Sequence, residues 1–238
     1  MPNPSRPEAG WLPGSFLARV GPEAATELLN LGRPRAVAPG EHVAQQGEPR
    51  TDVFLLQATK PGTTACVKVT SVARNGSETL LAIRAAGDLV GESAALRGGV
   101  RTATVTACAE TVAHAIDHRR FLAYLDKHPV TWRALSANLV DQLYWANQRR
   151  LDFGGYDVQV RLARVILELV ELYGESAIVD VKLGFQISQD ELGRLIGAKP
   201  AAVNKAMRDL RARGLISSQY RGIKINDVGA LRRYADDN

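Results

Sequence analysis

The chain has 238 residues, of which 45% are hydrophobic and 23% charged, so its composition is that of an ordinary globular protein long enough for two domains. Its formal net charge of +5 weakly favours a polyanionic partner. The sequence contains no run of about 18 apolar residues and no signal-peptide pattern, which excludes a membrane-spanning helix and favours a cytoplasmic protein. Cys66 and Cys108 are too few for a disulfide scaffold and fit a reducing compartment.

The first part of the chain has the pattern of a β-barrel. Residues 1–13 contain four prolines and predict a flexible tail, and the apolar residues after them favour one or two short helices. Short β-like runs separated by glycine and proline turns follow, at residues 36–38, 42–44, 53–56, 65–69, 79–83, 103–107 and 111–116. Their regular spacing predicts an antiparallel β-roll or jelly-roll barrel over residues 14–128, interrupted by a helical turn near residues 91–96.

One stretch inside the barrel suits a ligand that contains phosphate and sugar. Gly91-Glu92-Ser93 opens the short helical turn, and Arg101-Thr102 follows it. A glycine lets the backbone approach an anion, and the planar guanidinium of an arginine can hold a phosphate. A carboxylate beside it can accept hydrogen bonds from ribose hydroxyls. The same two charged residues could instead form an ion pair that closes one end of the barrel.

A long helix is predicted from Val130 to about Asp152, and we take residues 129–153 as a dimerisation helix. Its apolar residues recur at nearly coiled-coil spacing at Trp132, Leu135, Leu139, Leu143 and Ala146. Pairing with a second copy is expected because symmetric dimers are the commonest oligomers, although a helix packed under a barrel would show a similar stripe. Gly154-Gly155 are expected to break the helix and act as a hinge.

Residues 187–216 have the pattern of a helix-turn-helix. Ser188 and Glu191 have the spacing of a capping box, in which each side chain satisfies a free backbone amide at the start of a helix. Gly197 is placed to end this helix, and Pro200 is placed in the first turn of the next one. Two short helices joined by a tight turn that contains glycine are the arrangement found in many DNA-binding domains.

The second of these helices and the segment after it carry concentrated positive charge. Residues 197–224 contain seven Lys or Arg against Asp209 alone. A helix with a small, polar N-terminal half can enter a major groove, while the basic residues around it contact phosphates. Apolar runs on both sides of Arg221-Gly222 predict a β-hairpin, the wing of a winged helix. The alternative is an ordinary two-helix corner with a solvated basic face.

The predicted DNA-binding domain spans residues 154–238. We expect Asn204 and Lys205 to contact base edges, with Ala201 or Ala202 against a thymine methyl group. Arg208, Arg211 and Arg221 are expected to contact phosphates. The full predicted DNA-binding surface is Ser188, Gln189, Lys199, Ala201, Ala202, Asn204, Lys205, Arg208, Arg211 and Arg221.

The order of barrel, long helix, hinge and winged helix-turn-helix resembles the Crp–Fnr superfamily of bacterial transcription regulators. The resemblance runs from about Phe16 to Tyr234, and its most specific pieces are Gly91-Glu92…Arg101-Thr102-Ala103 and Ser188-Gln189-Asp190-Glu191-Leu192…Ile196-Gly197…Val203-Asn204-Lys205. It implies an α+β fold with an N-terminal cyclic-nucleotide-binding-like β-roll, a dimerisation helix and a C-terminal winged helix-turn-helix domain.

The resemblance also implies roles for the residues of the barrel cassette. Glu92 would hold the ribose of a cyclic nucleotide such as cyclic AMP, and Arg101 would hold its cyclic phosphate. Thr102 and the amide of Ser93 would assist, with Gly91 beside them. The resemblance further implies a homodimer that binds a near-palindromic double-stranded DNA site, with RNA polymerase as a further partner.

The sequence departs from the best-known members at two places. Their long helix reaches the ligand through an Arg and a Thr-Ser pair, where this chain has Gln142, Ala146 and Asn147; of these, Asn147 can still bond a base. Their recognition helix opens Ser-Arg-Glu-Thr-Val, where this chain has Lys199-Pro200-Ala201-Ala202-Val203. The side chains that would read G and C edges are therefore absent, so the DNA site should differ.

Other chemistries find little support in the sequence. Two cysteines cannot hold an iron–sulphur cluster, and no zinc, phosphate-loop or nucleophile motif is present, so we expect neither of these metal sites nor an enzyme. Haem ligation by a histidine stays an open alternative, although no pattern singles out one of His42, His114, His118 and His128. Two alternatives to an effector-controlled regulator remain. One is a DNA-binding regulator with a vestigial barrel that needs no effector, and the other is a ligand-binding or protein-docking module that no longer reads DNA.

Overall fold

The structure is a computed structural model that describes residues 11–12, 14–60, 65–173, 179–182, 187–219 and 222–237. The N-terminal part contains, in order, α1 (Phe16–Val20), α2 (Pro22–Leu31), β1 (Arg33–Val37), β2 (His42–Ala44), β3 (Val53–Ala58), β4 (Cys66–Val72), β5 (Glu78–Ala85), β6 (Leu89–Val90), α3 (Glu92–Arg97), β7 (Thr104–Ala107), β8 (Thr111–Ile116), α4 (His118–Lys127) and α5 (Pro129–Gly155). The C-terminal part contains α6 (Val158–Tyr173), β9 (Val179–Lys182), α7 (Gln189–Ile196), α8 (Pro200–Ala212), β10 (Ile216–Gln219), β11 (Gly222–Asp227) and α9 (Val228–Asp237).

The N-terminal strands form two four-stranded antiparallel sheets, in the orders β1-β8-β3-β6 and β2-β7-β4-β5. All seven predicted β runs overlap these strands, which confirms the predicted β-roll. The prediction missed β6, since two residues are too few to show a periodicity.

Strand β3 shows why an unbroken apolar run forms a strand here. Alternate side chains of a strand point to opposite faces, and both faces of β3 are covered. Phe54 and Leu56 lie in the core between the two sheets, together with Val67 and Val105. Val53 and Leu55 lie in a second core on the outer face, which is closed by the helices through Phe16, Leu17, Leu28, Phe121, Leu125 and Leu135. Burying one such side chain stabilises the fold by about 1.5–3 kcal/mol.

Two local contacts belong to this helical layer. The side chain of Asp117 accepts hydrogen bonds from the backbone amides of Arg119 and Arg120, which caps the start of α4. Trp11, before the first helix, is partly buried and packs against the outer core. Of the predicted tail, residues 1–10 and residue 13 lie outside the described part of the chain.

The apolar stripe of α5 has two different environments. In its first half, Leu135 is fully buried, and Trp132 and Leu139 pack against the outer core. In its second half, Val140 is 63% exposed and Leu143 is 61% exposed. A helix packed under a barrel therefore describes the first half of α5, and pairing with a second copy stays a prediction for the exposed second half.

The predicted break at Gly154-Gly155 is wrong by two residues. Helix α5 continues through both glycines to Gly155, and the chain leaves helical geometry at Tyr156 and Asp157. The hydrogen bond from the Tyr156 amide to the Asp152 carbonyl, 3.1 Å long, keeps the last turn intact. The Asp157 carbonyl then accepts from the amide of Arg161 at the start of α6.

None of the described helices is long and apolar enough to cross a membrane.

Helices α5 and α6 are joined by two partly buried ion pairs. Arg149 pairs with Glu168 at 2.6 Å, and Asp152 pairs with Arg164 at 2.9 Å. The Arg164 guanidinium also stacks on Tyr156 and donates to the Ala235 carbonyl of α9. These contacts hold the chain on both sides of the two glycines and would oppose bending there. The hinge at Gly154-Gly155 stays a prediction.

The C-terminal part packs around α6. Its predicted stripe is buried at Val160, Leu162, Val165, Ile166 and Leu169. Helices α7, α8 and α9 pack on it, and β10, β11 and β9 form an antiparallel sheet in that order. The predicted hairpin is thus confirmed, and β9 is an additional strand that the sequence analysis missed.

A buried glycine sets the distance between α7 and α8. A Cβ atom added at Gly193 would lie 2.9 Å from the backbone oxygen of Ala198 and 3.1 Å from a methyl carbon of Val203. The side chain of Val203 is itself fully buried, so neither neighbour can easily give way. The sequence analysis assigned Gly193 no role, because its requirement comes from the packing of the next helix.

We expect Gly193→Ala to destabilise the C-terminal domain by about 1–3 kcal/mol, the usual cost of overpacking, in urea denaturation. Gly154→Ala is the matched control, because Gly154 is also helical and an added Cβ there meets nothing within 4 Å. That variant should be neutral or stabilising by about 0.4–1 kcal/mol. Equal effects of the two substitutions would contradict the packing argument.

The buried imidazole of His114 predicts a pH dependence of stability. Its Nδ1 lies 3.2 Å from the Leu29 carbonyl oxygen and its Nε2 lies 2.8 Å from Gln57 Oε1. Burial lowers the pKa of His114 below its ordinary value of 6.5, and the hydrogen bond to Leu29 partly opposes this. Folding therefore favours the neutral ring, so this contribution to stability is complete above about pH 6.5 and declines as the pH falls through the lowered pKa.

Thermal unfolding measured between pH 7.5 and 5 should show this loss of stability. The loss should be smaller in His114→Gln, whereas His42→Gln, at an exposed site, should leave it unchanged.

Candidate effector site and nucleic-acid interface

The side chain of Arg101, three residues before β7, is buried, with 3% of its surface exposed. Its Nη1 donates to the Gly91 carbonyl at 3.1 Å and its Nη2 donates to the Asp52 carbonyl at 2.6 Å. The guanidinium lies 5.3 Å from the centre of the Phe54 ring, and its buried Nε has no hydrogen-bond partner. Burial lowers the pKa of Arg101, and the negative charges of Asp52 and Glu48 oppose that effect.

Gly91 is required by this geometry for two reasons. Its φ of 87° is left-handed, a conformation that glycine adopts without strain. A Cβ atom at this position would lie 2.4 Å from Arg101 Nη1 and 2.9 Å from the Asp52 oxygen. The guanidinium can therefore pack directly on the backbone that leads into α3 only because residue 91 has no side chain.

The carboxyl group of Glu92 is buried in the first turn of α3. Burial raises the pKa of Glu92 above its ordinary value, while a hydrogen bond with its own backbone and the positive charges of Arg84 and Arg101 oppose this rise. A buried carboxylate is stabilised by hydrogen-bond donors, and ribose hydroxyls are donors of that kind.

Among the described residues, no ion pair joins Glu92 to Arg101. The contacts of Arg101 are to backbone carbonyls instead, so the alternative of an ion pair closing the barrel does not describe this geometry. Of the other predicted ligand residues, Ser93 is partly buried, Thr102 is exposed, and Asn147 is exposed on α5. Their roles stay predictions.

Sequence analysis missed the contributions of Asp52 and Phe54 to this site. Asp52 acts through its backbone oxygen, which any residue carries, and Phe54 belongs to an apolar run that indicates only a core strand. Neither position gives a signal before the fold brings it to Arg101. Within the described chain, no group of His, Cys, Asp or Glu side chains is arranged to hold a metal ion.

The helix-turn-helix has the local geometry that the sequence predicts. The Ser188 hydroxyl accepts from the Glu191 amide at 3.2 Å, and the Glu191 carboxylate accepts from the Ser188 amide at 2.8 Å, which completes the capping box. Gly197 ends α7 with a left-handed φ of 63°, and Pro200 begins α8. These three predictions are confirmed.

Helix α8 has one buried and one exposed face. The buried face is formed by Val203, Ala206, Met207 and Leu210. Exposed residues on the other side include Lys199, Ala201, Asn204, Lys205 and Arg208. None of the four charged or amide-bearing side chains among them takes part in an ion pair or side-chain hydrogen bond with another described residue. This face is therefore free to meet a ligand outside the domain.

The remaining predicted DNA contacts are in mixed environments. Ala202, Gln189 and Arg211 are partly buried, and the buried Nε of Arg211 has no partner. The Ser188 hydroxyl is exposed but already accepts the capping hydrogen bond. Arg221, at the tip of the predicted wing, lies outside the described residues.

Comparison with known proteins agrees with both halves of this description. The family model described as a cyclic nucleotide-binding domain matches residues 34–128, and the one described as a Crp-like helix-turn-helix domain matches residues 160–234. A CRP-like cAMP-activated global transcriptional regulator of Mycobacterium tuberculosis is 28% identical over 226 residues, which cover 92% of this chain and 98% of the relative. The cyclic AMP receptor protein of Thermus thermophilus is 24% identical over 217 residues, which cover 91% and 94%.

The fold is also similar to that of a solved structure. The structure of a mutant of CooA from Carboxydothermus hydrogenoformans superimposes with a TM-score of 0.73 at 19% identity, covering 93% of this chain and 95% of that chain. At this identity the similarity concerns the fold alone. The two family models match the N-terminal barrel and the C-terminal helix-turn-helix, and the relatives align with nearly the whole chain. The chain therefore belongs to the Crp–Fnr superfamily and is a DNA-binding transcription regulator with an effector-binding domain.

Proposed function

We propose that the effector is a cyclic nucleotide whose phosphate binds at Arg101 and whose ribose binds at Glu92. The observation that carries this proposal is the buried guanidinium of Arg101, which is held by two carbonyl oxygens and keeps an unpartnered Nε. A buried charge is costly unless an opposite charge and hydrogen bonds compensate it. A phosphate supplies both, because its oxygens match the fork of the guanidinium.

Glu92 complements Arg101 by its place and its chemistry. It begins the short helix α3, directly after the glycine on which Arg101 packs. A ligand that carries an anion and neighbouring hydroxyl groups would compensate the buried cation and the buried carboxyl together. A cyclic nucleotide has this combination, and relatives that match nearly the whole chain are named as cyclic-AMP-activated or cyclic-AMP-binding.

We also propose that the second half of α5 pairs with the same helix of a second copy. Val140, Leu143, Tyr144 and Leu151 are each more than half exposed, and their spacing places them on one side of the helix together with Asn147. A continuous exposed apolar strip of this kind on a helix marks an interaction surface. An isologous contact would cover the same residues in both copies.

The exposed face of α8 is proposed to read DNA in the major groove. Small residues at its N-terminal end, Ala201 and Ala202, allow close approach of the helix to base edges. We assign base contacts to Asn204, which is exposed on this face together with Lys205 and Arg208. Two such helices in a symmetric dimer would contact successive major grooves about 34 Å apart. Contact with RNA polymerase stays a prediction.

Calorimetry with cyclic AMP and cyclic GMP tests the effector. We expect saturable binding of one of them to the wild type, and a loss of roughly 10–100-fold in affinity for Arg101→Lys and Arg101→Ala, since hydrogen bonds between charged groups contribute about 1.5–3 kcal/mol. Arg97→Ala is the control, because Arg97 is an exposed arginine of α3. Thermal unfolding of each variant verifies that it is folded. Binding by folded Arg101→Ala at wild-type affinity would refute the phosphate role, and no binding by the wild type would favour a vestigial barrel.

Selection from a random duplex pool, with and without cyclic nucleotide, tests the DNA-binding proposal. It should return an inverted repeat with half-site centres about one helical turn apart. Asn204→Ala should change the preferred sequence, whereas Arg208→Ala should weaken binding to all sequences alike and lower the salt slope by about one. Arg232→Ala, at an exposed arginine of α9, serves as the control for loss of charge. Identical behaviour of the Asn204 and Arg208 variants would show that these roles are wrong, and a pool without any enriched motif would reject specific reading by α8.

A further inference from the structure

The two cysteines of the chain, far apart in sequence, are neighbours in the barrel. Cys66 begins β4 and Cys108 directly follows β7, and their sulphur atoms are 3.3 Å apart. The amide of Cys108 donates to the carbonyl of Cys66 at 2.8 Å, which continues by one pair the antiparallel register of Val67 with Ala107. The thiols are thus held together by the sheet, on adjacent strands and on the same face.

We propose that Cys66 and Cys108 form a redox-active dithiol, which a hydroperoxide oxidises to an intramolecular disulfide. Residues that face each other in a hydrogen-bonded antiparallel pair have Cα atoms about 5.5 Å apart, which is in the middle of the range found for disulfides. Closing the sulphur separation to a bond length of about 2.05 Å needs side-chain rotation but no movement of the strands. The chain contains no third cysteine, so no other intramolecular disulfide can compete.

The different burial of the two thiols assigns their order of reaction. Cys108 is partly exposed, whereas Cys66 is 1% exposed. The Cys108 thiolate attacks one oxygen of the hydroperoxide and the O–O bond breaks, so that the sulphur becomes a sulfenic acid while the other oxygen takes up the thiol proton and leaves as an alcohol or as water. The Cys66 sulphur then attacks the sulfenic sulphur, the S–S bond forms, the S–O bond breaks, and the sulfenic hydroxyl leaves as water with the Cys66 proton. The two thiols lose two electrons in total, and the hydroperoxide gains them.

The position of the pair connects it to the strand that begins near Arg101. Cys108 follows the last residue of β7, and Arg101 precedes the first by three residues. A disulfide would tie this end of β7 covalently to β4, which hydrogen bonds already pair with it from Val67 to Thr70. Oxidation would therefore remove freedom from the strand whose other end holds the buried guanidinium. Because Cys108 is partly exposed, a small thiol can attack the disulfide and reverse it.

The test uses the full-length protein, first reduced and then treated with hydrogen peroxide. We expect both thiols to disappear together, the intact mass to fall by two hydrogen atoms, and the protein to gain no cross-linked dimer. The thermal unfolding midpoint should rise by several degrees, because the bond closes a loop of about 40 residues in the unfolded chain, and dithiothreitol should restore it.

Two single variants separate the roles of the thiols. In Cys66→Ser, Cys108 should accumulate as a sulfenic acid that a dimedone probe traps, whereas in Cys108→Ser the buried Cys66 should react at least tenfold more slowly than the wild type. If a serine variant does not fold, the alanine variant at the same position, Cys66→Ala or Cys108→Ala, is used instead. The proposal is overturned if wild-type Cys108 proceeds to sulfinic acid while Cys66 stays reduced, or if both single variants lose thiol as fast as the wild type. Since mass and thiol content are measured without nucleotide or DNA, failure here leaves the proposed effector and DNA roles untouched.

Discussion

The buried guanidinium of Arg101 is the contact on which the sensor site depends. It joins three separate pieces of the chain: the backbone at Asp52 before β3, the backbone at Gly91 before α3, and the loop that leads into β7. It also stacks on Phe54, which belongs to the core between the two sheets. The carboxylates of Asp52 and Glu48 oppose the loss of its charge, but its direct contacts are to backbone carbonyls, so an anionic ligand would add a direct ionic contact.

Other features of the molecule also cost stability, as the buried cation of Arg101 does. The carboxyl of Glu92 is buried at the cost of a raised pKa, and the second half of α5 keeps an apolar strip exposed. Helix α8 presents the basic side chains of Lys205 and Arg208 outward, without ion pairs to other described residues. Each feature breaks a rule that a sequence selected only for stability would keep, and the ligand, the second copy and the DNA that we propose would account for them.

How much the sequence predicted depends on whether the cause is local. The capping box of Ser188 and Glu191, the glycine end of α7 and the strands of the β-roll follow from neighbouring residues, and all are confirmed. The different environments of the two halves of α5 could not be predicted, because the periodicity of a stripe does not show which element packs against it. The prediction of a helix break at Gly154-Gly155 was wrong because helical hydrogen bonds and ion pairs to α6 outweigh the flexibility of glycine. The contributions of Asp52, Phe54 and Gly193 arise only from tertiary contacts.

The central claim is that a nucleotide at Arg101 changes how the protein binds DNA, and the most direct test is the coupling between the two sites. The dissociation constant for the selected duplex should be measured with and without saturating cyclic nucleotide, and that for the nucleotide with and without duplex. Linkage requires the two ratios to be equal, and coupling of about 1–3 kcal/mol would give a factor of about 5–150. A ratio of one in both experiments, with both ligands bound, would contradict the claim and show a sensor barrel that no longer regulates.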